Sequence, residues 1–424
     1  MSIEDQIRNL VRLYFETKQV IMLAKRKYKI PLSVPSFSWE EVTEAIDSLL
    51  TTYVTMGEKV KKFENLFAEY VGSKEAIMVN SGSSANLIAL SILSNPALGD
   101  SAIKPGDEVI VPAVTWSTSI FPILNIGAIP VLVDVDLETF SIKEEDVKRS
   151  VTSKTKALMP VHLLGFPCNM NKIMSIANKY KLYVIEDSCE AHGAEWSGRK
   201  VGTFGDMGTF SFFFSHHITT IEGGMIITNN EQYAELARIL RAHGWIRDLK
   251  YKAQVEKNYP EIDPRFLFIN IGFNVRPTEI QGAFGIHQIK KLESFIRTRR
   301  ENAKYWNEWL SKYSDYFIIH DEKEGSRAVW FGYPITVKPN APFKRKELVN
   351  YLESKGIETR PITAGNMDEQ PAMKLFKYKK VGDLPNSRLI MRNSFFIGNH
   401  HAIGENEREF FVNVIKNFIK EKVM

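Results

Sequence analysis

The chain has 424 residues, 44% of them hydrophobic and 25% charged, an ordinary globular composition with length for a large domain and a smaller one. Its net charge of +5 is spread along the chain, so clusters such as Lys59, Lys61 and Lys62, or Arg297, Arg299 and Arg300, read as solvated helix faces rather than a nucleic-acid surface. Two cysteines, Cys168 and Cys189, cannot supply an iron–sulfur cluster or a four-thiolate zinc site, and their scarcity suits a reducing compartment.

In chain order, residues 4–28 have helical periodicity, with Ile7, Leu10, Val11, Tyr14 and Phe15 on one stripe that reads as a packing or subunit-contact face. This charged, amphipathic start is no signal peptide, and no apolar run approaches the roughly 18 residues of a membrane span. A cytoplasmic protein without a membrane partner is expected. Helices at 39–50 and 57–71 follow. Short apolar strands then recur at 75–79, 108–112, 129–133, 156–161 and 182–186, with helical stretches such as 84–94 and 170–180 between them. That alternation predicts an α/β fold with a mainly parallel sheet covered on both faces. Further apolar segments lie near 208–213 and 225–228, and 250–270 is irregular. A long helix is predicted from Thr278 to about residue 312, then a strand over 328–337, a helix over 345–355 and an extended tail.

Three segments carry possible chemistry. Asn80–Asn86 follows a strand and opens a helix, where unpaired N–H groups and small side chains admit a phosphate, although serine there is also an ordinary cap. Asp187, in YVIEDSCEAHGAE, ends an apolar strand at the edge where open α/β sheets bind ligands. A carboxylate there could keep a ring nitrogen protonated, or could merely cap a neighbouring helix. The third segment, GDMGTFSFFFSHHITTIEGGMIITN (205–229), sets two adjacent histidines between an aromatic run and a Glu-Gly-Gly turn.

This last segment resembles the cofactor segment of the DegT/DnrJ/StrS sugar aminotransferases, fold-type I pyridoxal-phosphate enzymes. In that pattern the lysine that binds the cofactor stands five residues after a serine. Here Ser211 is the serine and the fifth residue on is His216, with no lysine in 201–249. Other markers follow in the family's order. GSSANL (82–87) resembles the phosphate-cradling turn, with Gly82 and Ser83, and PAVTWST (112–118) the segment whose aromatic residue, Trp116, stacks on the ring. EDSCEAHGA (186–194) resembles the aspartate motif, GFNVRPTEIQGA (272–283) the segment sending Asn274 to the neighbouring subunit's phosphate, and GIETRP (356–361) a substrate-side motif.

The resemblance, over roughly residues 35 to 424, implies a fold-type I large domain (31–277), a linking helix with a small C-terminal α+β domain (278–424) and a homodimer, while residues 1–30 form an extra N-terminal helical extension with no assigned role. It implies pyridoxal or pyridoxamine phosphate as cofactor, held by Gly82, Ser83, Trp116, Asp187, Ser211 and Asn274, with Glu190 near the ring's 3′ oxygen or the substrate. His217, His243 and Arg360 are candidate substrate contacts.

Imidazole forms no stable imine, so the cofactor is expected to be untethered. Histidine still moves protons. The exchange resembles that of the deoxysugar 3-dehydratases. By that resemblance, pyridoxamine phosphate condenses with a nucleotide-linked 4-keto-6-deoxy sugar, and His216 takes a proton from the cofactor and then helps expel the C3 hydroxyl. With too few cysteines for the iron–sulfur type, the chain resembles the type acting on GDP-4-keto-6-deoxymannose, which uses glutamate and releases ammonia. The alternatives are a nucleotide-sugar aminotransferase drawing on a lysine such as Lys200, and a silent cofactor-binding regulatory protein.

Overall fold

A computed structural model describes residues 2–24 and 27–423. The strands β1 (Glu75–Val79), β2 (Glu108–Pro112), β3 (Ile129–Val133), β4 (Thr155–Leu158), β5 (Tyr183–Asp187), β6 (Met207–Ser211) and β7 (Gly224–Thr228) form one sheet. Its order is β1-β7-β6-β5-β4-β2-β3, with Lys379–Lys380 on the far edge. Only β7 runs against its neighbours. These strands are almost wholly buried, as parallel strands covered by helices on both faces must be. Because β7 reverses between β1 and β6, the carboxyl ends of β1, β2, β5 and β6 all emerge along one edge.

The strand expected over 156–161 stops at Leu158, since Pro160 has no N–H to give a ladder. The strand expected over 328–337 begins only at Gly332. Trp330 takes φ +50, and the carbonyls of Trp330 and Phe331 turn to the Arg299 guanidinium instead of a neighbouring strand. The segment 250–270 is irregular apart from a short helix, Lys252–Lys257, and a 3-10 turn, Pro264–Phe266.

A second, antiparallel sheet joins Phe317–Ile318, Gly332–Val337, Ser394–Gly398 and Thr359–Pro361, in that order. Its core holds Trp306, Tyr333, Phe411 and Phe418, all buried. The tail is not extended, as expected from its prolines and glycines, but carries helices Pro385–Asn393 and Glu405–Val423. Phe411, Val414, Ile415, Phe418 and Ile419 recur at helical spacing on the buried face of the latter, a period that outweighs the preceding loop composition.

Helix Glu279–Leu310 runs between the two sheets' surroundings. Thr278 and Gln281 form a capping box at its start, and Glu279 accepts the amides of Gly57, Lys59 and Val60, closing the N-terminus of helix Glu58–Val71. A methyl group on Gly285 would lie 2.4 Å from the Phe63 ring, so only glycine allows the two helices this contact. The N-terminal helix, Ile3–Ala24, packs on Trp39–Leu50 with Ile7, Val11 and Phe15 half-buried. Leu10 and Tyr14 of the same expected stripe are exposed, so that stripe is only partly covered within one chain.

Candidate active site

A cavity of 320 Å³ opens at the shared carboxyl edge of β1, β2, β5 and β6. Gly82, Ser83, Trp116, Asp187, Glu190, Ser211, His216 and Arg360 all line it, drawn from positions nearly 280 residues apart in the chain.

Ser81 caps helix Gly82–Leu93, its hydroxyl accepting the Ser84 amide, which leaves the first amides of the helix facing the cavity. Gly82 is required there. A β-carbon at this position would lie 2.5 Å from Ser211 Cβ and 3.1 Å from Cys189 Sγ. The result is a cradle of backbone N–H groups with Ser83 beside it, suited to a phosphate. Asp187 terminates β5, and its carboxylate accepts from Asn86 Nδ2 (2.8 Å), Ser119 Oγ (2.7 Å) and the Cys189 amide (3.1 Å). Asn86 is itself fixed by Thr209 (2.6 Å), so the carboxylate is held in one orientation. Trp116 is 57% exposed, an uncovered indole face on the cavity wall that a flat ring would bury. Phosphate cradle, aromatic face and oriented carboxylate together fit a phosphorylated pyridine, which would sit between Trp116 and Asp187.

His216 ends a tight turn, its amide bonding to the Phe213 carbonyl. Its ring meets Phe331 edge-on at 5.1 Å and Phe213 at 6.2 Å, and its Nδ1 is buried without a hydrogen-bond partner among the described residues. Burial, then the nearby Arg299 charge, lowers it from the ordinary imidazole value to about 3. Glu190 accepts the Leu164 amide (2.7 Å), and burial pushes its carboxyl up to about 7, with Asp187 adding to the rise.

Three expected contacts do not reach this cavity within one chain. His217 is buried behind it, its Nε2 on the Val329 carbonyl at 3.1 Å, so the turn keeps His216 forward. His243 is exposed at φ +64 on a separate turn. Asn274 is exposed too, bonded to Arg276. Arg299, expected on a solvated helix face, is 4% exposed and grips backbone carbonyls behind His216. Asn86, Ser119 and Phe331 were also not expected. Asn86 lay within a noted motif, but its partner Asp187 is 101 residues away.

Among known proteins, the profile of the DegT/DnrJ/EryC1/StrS aminotransferase family matches residues 36–416. The chain belongs to this family. It is 40% identical over 399 residues to the GDP-4-keto-6-deoxy-D-mannose 3-dehydratase of Yersinia pseudotuberculosis, covering 92% of this chain and 100% of that one. Among solved structures, the E. coli GDP-4-keto-6-deoxy-D-mannose 3-dehydratase with bound hydrated pyridoxal phosphate matches with TM-score 0.85 and 39% identity, over 91% of this chain and 99% of that one. A GDP-4-keto-6-deoxymannose 3-dehydratase with a trapped pyridoxal-phosphate–glutamate geminal diamine matches with the same score and identity, over 91% and 100%. Among the described residues, no lysine lines the cavity of this member of the DegT/DnrJ/EryC1/StrS family. Lys200 lies elsewhere, its ammonium 4.9 Å over the Tyr70 ring. No helix among the described residues is long and apolar enough to cross a membrane.

Proposed function

We propose that this chain is a pyridoxal-phosphate-dependent 3-dehydratase of a nucleotide-linked 4-keto-6-deoxy sugar, with glutamate as amine donor and ammonia as by-product. The observation that carries the proposal is an imidazole and, among the described residues, no lysine facing a cavity otherwise furnished for the cofactor. The likeness to GDP-4-keto-6-deoxymannose 3-dehydratases over nine-tenths of the chain supports GDP-4-keto-6-deoxymannose as the substrate. Over the whole cycle the sugar loses one oxygen atom while glutamate becomes 2-oxoglutarate and ammonia.

The cofactor, in its amine form, supplies the nitrogen that engages the sugar ketone and the ring that accepts electrons. The Gly82–Ser83 amides and Ser211 would hold its phosphate, Trp116 would offer an aromatic face to its ring, and Asp187 would keep the ring nitrogen protonated. His216 is neutral at physiological pH and therefore free to accept a proton, and its imidazolium then delivers that proton to the departing C3 hydroxyl as water. Glu190 would meet the ring's 3′ oxygen or the substrate, and Arg360 would meet an anionic part of a substrate.

We also propose a cytoplasmic homodimer. Phe266, Phe268 and Ile271, leading to Asn274, are 66%, 51% and 92% exposed, which suits a segment covered by a second copy. Asn274 then serves the partner's phosphate.

The test is incubation of the purified protein with pyridoxal phosphate, glutamate and GDP-4-keto-6-deoxymannose, followed by mass spectrometry and an ammonia assay. A sugar lighter by one oxygen, with ammonia, is expected, and neither from His216→Asn. An amino sugar without ammonia would replace the proposal with an aminotransferase.

A further inference from the structure

Arg299 is a cation in an unusual place. It lies on the buried stripe of helix Glu279–Leu310 with Ile296, Ala303 and Trp306, and is 4% exposed. Its Nη1 donates to the carbonyls of Phe331 (2.7 Å), Trp330 (3.4 Å) and Asn399, while Nε has no partner among the described residues. Among the described residues it forms no ion pair, and burial lowers it only to about 9, so it remains charged at physiological pH. A buried cation without a carboxylate is costly, and three backbone carbonyls offset only part of that cost.

In front of this cation stand three imidazoles. The His192 ring lies 6.3 Å from His216 and 5.4 Å from His217, and Phe331 meets His216 at 5.1 Å and His217 at 5.8 Å. Charged or titratable groups from several elements surround His216 or share its cavity. His217 comes from its own turn, Asp187 from the end of β5, and Cys189, Glu190 and His192 from the loop after it. Arg299 comes from the long helix, Arg360 from Thr359–Pro361 and Glu222 from the turn before β7. Of these, Arg299 is the cation whose charge, after burial, opposes a proton on His216, while His192 and His217 repel His216 in turn when they are charged.

We propose that Arg299 is a positioning residue for the proton transfer at His216. It fixes the Phe331 ring against the imidazole through the Trp330, Phe331 and Asn399 carbonyls, and its unneutralised charge makes a proton on His216 one to be passed on rather than kept. This rests on the dehydratase reading for its purpose, but not for its physics. In the transfer, a C–H bond breaks as N–H forms on His216, and the electron pair of that C–H bond makes good the pair that leaves with oxygen when the C3–O bond breaks. The N–H then breaks as its proton joins that hydroxyl, which departs as water. A cation behind the ring opposes storage between the two events.

The test separates charge from grip. Arg299→Gln keeps an amide donor for the carbonyls and removes the charge, whereas Arg299→Lys keeps the charge. Histidines labelled at carbon are titrated by NMR in the cofactor-free protein, with His216→Asn assigning the signal. His216 of the unaltered protein is expected to titrate below pH 5. Arg299→Gln should raise that midpoint by about one unit or more, a tenfold or larger change in proton affinity, and Arg299→Lys by no more than a few tenths. In turnover assays Arg299→Gln should gain an acid limb that Arg299→Lys lacks. An unshifted midpoint in a folded Arg299→Gln protein would overturn the proposal. So would an ordinary midpoint near 6.5 in the unaltered protein, which needs no variant to fold. Because the titration uses no substrate, it stands apart from failure of the dehydratase reading.

Discussion

On one side of the cavity both oxygens of Asp187 are engaged, by Asn86, Ser119 and the Cys189 amide. On the other, His216 leaves Nδ1 unbonded among Phe213, Phe331 and His192. A saturated network fixes a group in one protonation state and one pose. A group held by rings alone is free to change its proton inventory without breaking bonds that must then be remade. The first side suits holding and the second suits transfer.

The largest effect expected from breaking this contrast is at position 216. His216→Lys places an amine in the cavity, so borohydride should reduce the cofactor onto residue 216. Deoxygenation should fall by about three orders of magnitude, within the range for loss of a positioned acid–base group. Peptide mapping after reduction and the ammonia assay check both outcomes. Next in size, Asp187→Asn leaves the Asn86 and Ser119 donors facing an amide. Cofactor affinity should weaken by about 100-fold, corresponding to about 2–3 kcal/mol, as measured by absorbance titration. Retained affinity would mean that the ring nitrogen finds no partner at Asp187.

Gly82→Ala tests the cradle by crowding. With Ser211 Cβ in the way, the cofactor-free protein should lose about 1–3 kcal/mol in urea unfolding, and phosphate anchoring should weaken with it. The smallest expected effect is a pH slope from Glu190. Burial first, then Asp187, raises its folded value to about 7 from 4.5, so between those values the folded state binds protons that the unfolded chain does not. Stability attributable to Glu190 is therefore present at low pH and lost as pH rises toward 7. Glu190→Gln can still accept the Leu164 amide and should flatten this slope, measured as the urea midpoint at pH 5 and pH 8. An identical slope in the variant would assign it to another group.

The holding side of the site was largely legible in the sequence. Gly82, Asp187 and Ser211 each end or follow a strand, and strand ends are marked by local hydrophobic runs. The transfer side was legible only at its tip. His216 shows as a departure from a family pattern, but Arg299 sits in RTRRENAK, where neighbouring charges suggest a wet face. The available signal was the helical period, since Ile296, Arg299, Ala303 and Trp306 fall on one stripe. Phe331 was hidden for a related reason: AVWFGYPITV reads as one strand, and only the demand of a distant guanidinium for carbonyls breaks it at Gly332. The final helix was missed because prolines and glycines before it masked a periodic stretch after it.

Glu279 and Arg299 share one helix, the first closing helix Glu58–Val71 and the second gripping the backbone beside Phe331. Twenty residues separate them, more than five turns, and each residue advances the helix by about 100°. Substitutions between the two can drift so long as the buried stripe stays apolar. An insertion or deletion cannot, because one residue more would swing the guanidinium through roughly a quarter turn, away from the carbonyls it holds. In descendants of this chain, the interval from 279 to 299 should therefore vary in letters and keep its count.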